Sequence, residues 1–224
     1  MGKTAIILGA SGLTGQYLLK QLISDERYST IKLFSRKKTE ITSSKVIEKT
    51  GDILALENFK EAFTADEVFV CIGTTAKKTP DKTQYKNIDF GIPAAAAKLA
   101  KENKISTFLV VSAMGANAKS SVFYNRTKGE MEQAVLSENI ENTYILRPSI
   151  IGGNRNENRP MEKIGLAIFK LLQPLMVGKL KKYQIIEAKN IAKAMIYLAN
   201  EKPEIHIIES DKIHELALLP TKIK

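Results

Sequence analysis

The 224-residue sequence has no tryptophan, one cysteine (Cys71) and two histidines, His206 and His214. A lone cysteine excludes an intrachain disulfide; this fits a reducing compartment, and a cytoplasmic protein is expected. Two histidines and one cysteine give no ligand cluster, so no structural or catalytic metal is expected. Long apolar runs are missing as well. No stretch reaches membrane-spanning length, and Thr4 to Leu8 is too short for a signal-peptide core. The Met1-Gly2 start is not a myristoylation signal, because Ile6 stands where Ser or Thr is required. Internal repeats and low-complexity segments are absent.

Acidic residues are in the minority, 24 against 34 Lys and Arg, which leaves a net charge of +10. The basic residues gather at Arg36-Lys37-Lys38, Lys77-Lys78 and Lys179 to Lys182, without interleaved aromatics for base stacking. A solvated Lys-rich surface is expected, with no nucleic-acid or membrane partner.

What is present begins at residues 4 to 15, Thr-Ala-Ile-Ile-Leu-Gly-Ala-Ser-Gly-Leu-Thr-Gly. An apolar run ends at Gly9, glycines recur at Gly12 and Gly15, and a helical-period segment follows through Tyr17, Leu18, Leu22 and Ile23. Strand, glycine turn and helix in that order suit a dinucleotide pyrophosphate. The first glycine permits the tight turn, the second lets backbone approach phosphate, and the third lets helix pack on strand. Ser11, Leu13 and Thr14 belong to the same loop, and the helix N-terminus offers N–H groups to the anion. A triphosphatase-type phosphate loop is excluded, because Gln16 and Tyr17 follow Gly15 in place of Lys-Ser/Thr.

Further along, apolar strands alternate with helical segments. Strands are expected at Ile31 to Phe34, Val46 to Glu48, Val68 to Ile72, Phe108 to Val111 and Tyr144 to Leu146. Helices are expected from Gly51-Asp52-Ile53 through Phe63, from Ile88 to Glu102 and from Phe123 to Ser137. That rhythm predicts an α/β fold, a doubly wound parallel sheet of Rossmann-like type. Continuously apolar strands such as Val68-Phe69-Val70 fit a sheet covered on both faces. After Pro148 come a polar loop from Gly152 to Pro160, a helix from Met161 to Leu172, a strand at Gln184 to Ile186, a helix from Asn190 to Asn200, a strand at Ile205 to Ile208 and a helical turn. One domain over 1–224 is expected, with 148–224 as a small substrate-side elaboration.

Twenty positions past the glycines, an acidic residue would bind an unphosphorylated ribose. No Asp or Glu occurs between Thr30 and Thr39; Ser35, Arg36 and Lys37 stand there instead. A guanidinium fork suits a 2′-phosphate, so NADP(H) is favoured over NAD(H). Asp52 and Ile53, by position, are adenine contacts, and Gly73 and Thr74 approach the adenine ribose.

Tyr124 and Lys128, at i and i+4 on a helix, share a face. A nearby ammonium favours phenolate, making Tyr124 a candidate acid/base near neutral pH. Ser112, at the carboxyl end of a strand and so on the ligand edge, is placed to hold a substrate carbonyl beside it.

The glycine loop, Ser112, Tyr124 and Lys128 resemble the short-chain dehydrogenase/reductase superfamily, with the glycine spacing of its extended and atypical members. Cys71 to Thr75, Ser112 to Ala116, Tyr124 to Gly129 and Arg147-Pro148 are similar to the Tat-interacting-protein-like small oxidoreductases; Arg155 and Arg159-Pro160 also fit. The resemblance implies that Tyr124 exchanges a proton with the substrate oxygen, that Lys128 lowers the tyrosine pKa and holds the nicotinamide ribose, and that Ser112 orients the carbonyl. It makes Asn87 the counterpart of a helix-4 asparagine. It assigns Arg147 and Pro148, with Ser149 and Ile150 after them, to the nicotinamide side. The activity it implies is an NADP(H)-dependent oxidoreductase acting on a small-molecule carbonyl or alcohol. A dinucleotide-binding regulatory module and a nucleotide-sugar epimerase or dehydratase are the alternatives. The short stretch after Arg147 counts against a sugar-nucleotide domain, and retention of the Tyr-Lys pair counts against a regulatory module. Arg155 and Arg159 are either a clamp for a carboxylate or phosphate, or surface residues.

Overall fold

Continuous apolar runs need cover on both faces, and the chain supplies it with helices on each side of one parallel sheet. In the computed structural model, which describes residues 2–152 and 178–220, the first half runs β1 (Lys3–Leu8), α1 (Leu13–Ser24), β2 (Tyr28–Ser35), β3 (Val46–Thr50), a 3₁₀ helix (Ile53–Phe59) and β4 (Glu67–Val70). It continues through α2 (Lys82–Lys86), a π-helical turn (Asn87–Gly91), α3 (Ile92–Glu102), β5 (Thr107–Val111), α4 (Phe123–Ser137) and β6 (Asn142–Arg147). The last described part holds β7 (Ile151–Gly152), a 3₁₀ helix (Gly178–Tyr183), β8 (Ile186–Glu187), α5 (Ala188–Glu201), β9 (Ile207–Glu209) and α6 (Ser210–Leu216).

Among the described residues, seven strands form the main sheet in the order β3-β2-β1-β4-β5-β6-β9, all parallel, and β7 pairs with β8 separately. Period-two alternation divides the core. Ala5, Ile7, Phe69, Leu109 and Leu146 face α1, α5 and α6, whereas Ile6, Leu8, Val68, Val70 and Val110 face α3, α4 and the first 3₁₀ helix. Each fully buried Ile or Leu is worth about 1.5–3 kcal/mol, so the central strands anchor the fold. β3 is exposed along much of its length because it is an edge strand. β9 extends the same sheet beyond β6, and α5 packs beside α1.

At the N-terminal ends of the strands a polar cluster closes the sheet. Glu67, 1% exposed, accepts from Tyr28 Oη at 2.5 Å and Lys3 Nζ at 2.7 Å, and Asn200 Nδ2 donates to Tyr28 Oη at 3.0 Å. Buried polar atoms cost little when each meets a partner, and these do.

Most expected elements stand with ends shifted by a few residues (the strand expected at Val68 to Ile72 ends at Val70, and that at Ile205 to Ile208 falls at Ile207–Glu209), and three differ further. The helix expected through Phe63 is a 3₁₀ helix ending at Phe59, broken at Ala55 (φ −108°, ψ 56°); Phe59 and Phe63 both stack on Phe34, with centroids 5.3 and 5.2 Å away. The helix expected from Ile88 begins six residues earlier. The Asp81 carboxylate accepts from Gln84 N–H at 2.7 Å and nucleates α2 there, and the chain continues through the π turn into α3. The strand expected at Gln184 to Ile186 is displaced to Ile186–Glu187, and α5 follows directly. The loop from Gly153 to Pro160, with Arg155 and Arg159, and the helix expected at Met161 to Leu172 lie outside the described residues.

Candidate active site

The order of the sheet changes direction at β1, with β2 on one side and β4 on the other; ligands of open α/β sheets bind outside the strand ends at such a point. A cleft of about 970 Å³ lies there. The turn after β1 forms its floor. Gly9 has φ +90°, and a Cβ on it would lie 2.8 Å from the Cys71 carbonyl, so the glycine is required both for conformation and for the approach to β4. A Cβ on Gly15 would lie 2.1 Å from the Gly9 oxygen, so only glycine lets α1 start this close to the strand. Gly12 caps α1 without a side-chain acceptor, and its N–H donates to Gly9 O at 3.0 Å. The first turn of α1 contains no acid. That leaves helix-terminal N–H groups and an unopposed positive dipole end facing the cleft, the donor set a pyrophosphate needs.

Ser11, Gly12, Leu13, Thr14, Gly73, Thr74, Ser112, Tyr124, Lys128, Pro148, Ser149 and Ile150 all line this one cleft. Residues as distant in sequence as Ser11, Gly73, Ser112, Lys128 and Ile150 meet there because β1, β4, β5, β6 and α4 converge on one space. Gly9 and Gly15 shape the turn without lining it. Ser35, Arg36 and Lys37 stand at the carboxyl end of β2, where Phe34 is in register with Leu8. Arg36 and Lys37 are exposed, and the Ser35 hydroxyl donates to Lys37 O at 2.7 Å, so its proton is spent on the turn. Asp52 and Ile53 adjoin them, since Gly51 N–H donates to Ser35 O at 3.0 Å. The Asp52 carboxylate caps the 3₁₀ helix through Leu54 N–H at 2.9 Å, and Ile53 packs against the core, so neither reaches the cleft.

Four expectations are corrected by the geometry. Asn87 is exposed in the π turn and away from the cleft; Asp89, two residues on and 1% exposed, is the residue directed inward. Arg147 does not line the cleft. Its guanidinium donates to both carboxylate oxygens of Glu132, at 3.0 and 2.6 Å, and to Glu209 at 3.1 Å, and the Glu132 bonds hold it above the ordinary arginine range. Ser112 was expected to offer its proton to a substrate, yet it donates to Glu132 Oε1 at 2.5 Å and is 5% exposed. Its lone pairs, not its proton, are left for the cleft. Finally, Lys128 was expected to depress the Tyr124 phenol. The phenol is instead held above its usual value, chiefly by desolvation of the charged form; Lys128 pulls it down and Asp89 pushes it up. Lys128 is 4% exposed, with Nζ 2.8 Å from Asp89 Oδ1, whereas the Tyr124 ring at the cleft wall is 41% exposed.

Glu132 and Asp89 are the residues that sequence reasoning missed. Glu132 lies four positions after Lys128, on the same helical face, and that spacing was a readable signal. Asp89 had only the oddity of an acid inside Ile88-Asp89-Phe90. Around them the backbone is well fixed. Thr74 N–H donates to Asp89 Oδ2 at 2.7 Å, Ser112 N–H to Leu146 O at 2.7 Å and Met114 N–H to Pro148 O at 2.9 Å. The Ser149 hydroxyl donates to Gln184 O, and its N–H to Ser210 Oγ at 3.1 Å. Cys71 lines the cleft too, but burial pushes its thiol up to about 12 and its sulfur sits 3.8 Å from Met195 Sδ. It is a thiol, not a nucleophilic thiolate, at neutral pH.

Residues 9–163 match the model of a family described as NAD(P)H-binding. The chain is similar to the protein FMP52-1, mitochondrial, of Scheffersomyces stipitis, 36% identical over 182 residues that cover 80% of this chain and 76% of that one. It is also similar to HTATIP2 of Rattus norvegicus, 32% identical over 171 residues, 75% of this chain and 70% of that one. Among solved structures, the Bordetella bronchiseptica enzyme WbmH in complex with NAD+ superposes with a TM-score of 0.71 at 14% identity, over 93% of this chain and 76% of that one. These relatives correct the cytoplasmic expectation, because the FMP52 proteins are named mitochondrial. A single cysteine bears on disulfides, and it carries no address.

Proposed function

Because this chain belongs to the NAD(P)H-binding family and is an atypical short-chain dehydrogenase/reductase-like protein, we propose that it is an NADP(H)-dependent oxidoreductase acting on a small carbonyl or alcohol. The observation that carries the reading is the convergence of Tyr124, with Lys128 behind it, on the cleft floored by the Gly9–Gly15 turn. A bound nicotinamide supplies the hydride in reduction, or accepts it in oxidation. Ser11, Gly12, Leu13 and Thr14 hold the pyrophosphate with backbone N–H groups. Pro148 and Ile150 give the nicotinamide side an apolar wall that excludes water. In reduction the carbonyl carbon gains the hydride, its oxygen takes the Tyr124 proton, and the phenolate recovers a proton from water. Ser112, held by Glu132, fixes the substrate oxygen's neighbourhood by accepting from the alcohol form.

Preference for the phosphorylated cofactor is supported by the place of Arg36 and Lys37, just past the end of β2, where Phe34 is in register with Leu8, and by the lack of an acid from Thr30 to Thr39. A 2′-phosphate gains charge-assisted bonds there that a free ribose does not. Arg36→Glu is expected to weaken NADPH binding at least tenfold, about 1.4 kcal/mol, with little change for NADH. Equal affinities in the wild type for both cofactors refute the preference. A carbonyl screen followed by NADPH absorbance tests the activity. Tyr124→Phe is expected to abolish turnover of any substrate found while leaving cofactor affinity unchanged, and retained turnover removes Tyr124 from the chemistry.

A further inference from the structure

A buried ammonium is costly unless an opposite charge and hydrogen bonds compensate it. Lys128, 4% exposed, has the opposite charge in Asp89, 1% exposed, with Nζ 2.8 Å from Oδ1; the contact is an ion pair, since Oδ1 accepts no well-aligned hydrogen bond among the described residues. The second oxygen of Asp89 accepts from Thr74 N–H at 2.7 Å, and that backbone belongs to the loop after β4 that walls the cleft. The carboxylate therefore ties α4 to the β4 loop at the point where Tyr124 faces the cleft.

The local fold explains why an acid stands there. From Lys82 to Glu102 the chain is helical throughout, but Asn87–Gly91 is wound as a π turn. One extra residue per turn rotates the following side chains, and such turns recur at functional sites. The rotation leaves Asn87 exposed and carries Asp89 inward. Gly73 completes the fit: a Cβ on it would stand 3.6 Å from Asp89 Oδ1 and 3.9 Å from Lys128 Nζ. Among the described residues, no other side chain comes within 4 Å of that position.

We propose that Asp89 is a positioning residue of the site, holding the Lys128 ammonium charged and in place behind Tyr124. The working unit is then Tyr124-Lys128-Asp89 in place of a Tyr-Lys pair. The inference rests on the oxidoreductase reading only for what the unit is used for. Among the described residues, the charged and titratable groups facing Lys128 are Asp89 from the π turn and Tyr124 from its own helix, with Gly73 of the β4 loop beside them. Tyr85 of α2 lies below, its hydroxyl 3.4 Å from Thr74 O and its phenol raised by burial and then by Asp89. Lys78 lines the same cleft, and Glu132, one turn along α4, is taken up by Arg147 and Ser112.

The test reads Lys128 directly and needs neither substrate nor cofactor. Competitive acetylation of the whole protein with acetic anhydride across a pH series, located by mass spectrometry, gives the pH midpoint of Lys128 reactivity. In Asp89→Asn the midpoint is expected to fall by about one pH unit or more, because a buried lysine has lost its compensating charge. Asp89→Glu, which restores a carboxylate, is expected to recover at least half of that fall. An unchanged or higher midpoint in a folded Asp89→Asn protein overturns the proposal. Should Asp89→Asn not fold by circular dichroism, Asp89→Ser takes its place, and loss of fold in both assigns Asp89 to structure alone and overturns the proposal too. A chain with no turnover on any carbonyl still yields the Lys128 midpoint, so failure of the activity reading is distinguishable from failure of this one.

Discussion

Replacing Arg147 by Met asks what the guanidinium contributes. It spans two carboxylates, Glu132 at 3.0 and 2.6 Å and Glu209 at 3.1 Å, and its side chain is 22% exposed. Glu132 is 4% exposed and would keep only the Ser112 hydroxyl as donor. Breaking a buried ion pair from one side costs about 3–5 kcal/mol, and the partial exposure of Arg147 trims this to roughly 2–4 kcal/mol. A chain of this size loses about 2–4 °C in Tm for each kcal/mol, so a fall of roughly 4–16 °C is expected. Protonating the orphaned carboxyl relieves part of the cost. The variant's native state then binds more protons than its unfolded state, so its stability falls as pH rises. Urea denaturation at pH 5 and pH 7.5 should show the larger deficit at pH 7.5. The double variant Arg147→Met/Glu132→Leu, which removes the charge along with its partner, should recover most of it. A deficit below about 1 kcal/mol, an equal deficit at both pH values, or a double variant no better than the single one refutes the reasoning.

Gly15→Ala would place a Cβ 2.1 Å from a backbone oxygen that cannot turn aside; a loss of about 1–3 kcal/mol or more and weakened NADPH binding are expected, and wild-type affinity by fluorescence titration would show that the turn accommodates it. Tyr28→Phe strips Glu67 of one donor and Asn200 of one acceptor, a cost of about 1–3 kcal/mol in denaturant titration. Burial, then the Glu67 charge, raises the Tyr28 phenol in the folded protein, so the native state keeps a proton that the unfolded chain releases near pH 10. Wild-type stability therefore declines as pH rises past 10, and Tyr28→Phe should show a shallower decline; equal slopes would remove Tyr28 from the account.

The strands were legible because period and burial agree: Ile6-Ile7-Leu8 has no polar side chain to expose, so it had to lie at the centre of a covered sheet. The glycine turn was legible because its spacing answers to backbone contacts alone. Tyr124 and Lys128 could be paired from i, i+4 geometry. What they would do to each other could not, since burial of the phenol outweighs the Lys128 charge and Asp89 adds to it; the inward aim of Asp89 depends on a π turn that no propensity announces. Strand ends put Ser112 at the cleft wall, whereas Arg147, also at a strand end, does not line the cleft. Their hydrogen bonds went to Glu132, a partner fixed by the packing of α4 on the sheet and invisible to strand position.

The pairing of β9 with β6 also bears on how the molecule is made. Glu209 meets Arg147 across 62 residues of chain, and β9 is the strand that covers the outer side of β6. At 5–20 residues per second, roughly 3–12 s of synthesis separate the two. During that interval β6 stands as an open edge with unpaired backbone groups, the kind of edge that invites wrong partners. A nascent chain therefore holds its nucleotide-side strands before it can seal the opposite flank, and that interval is when a chaperone would matter most to it.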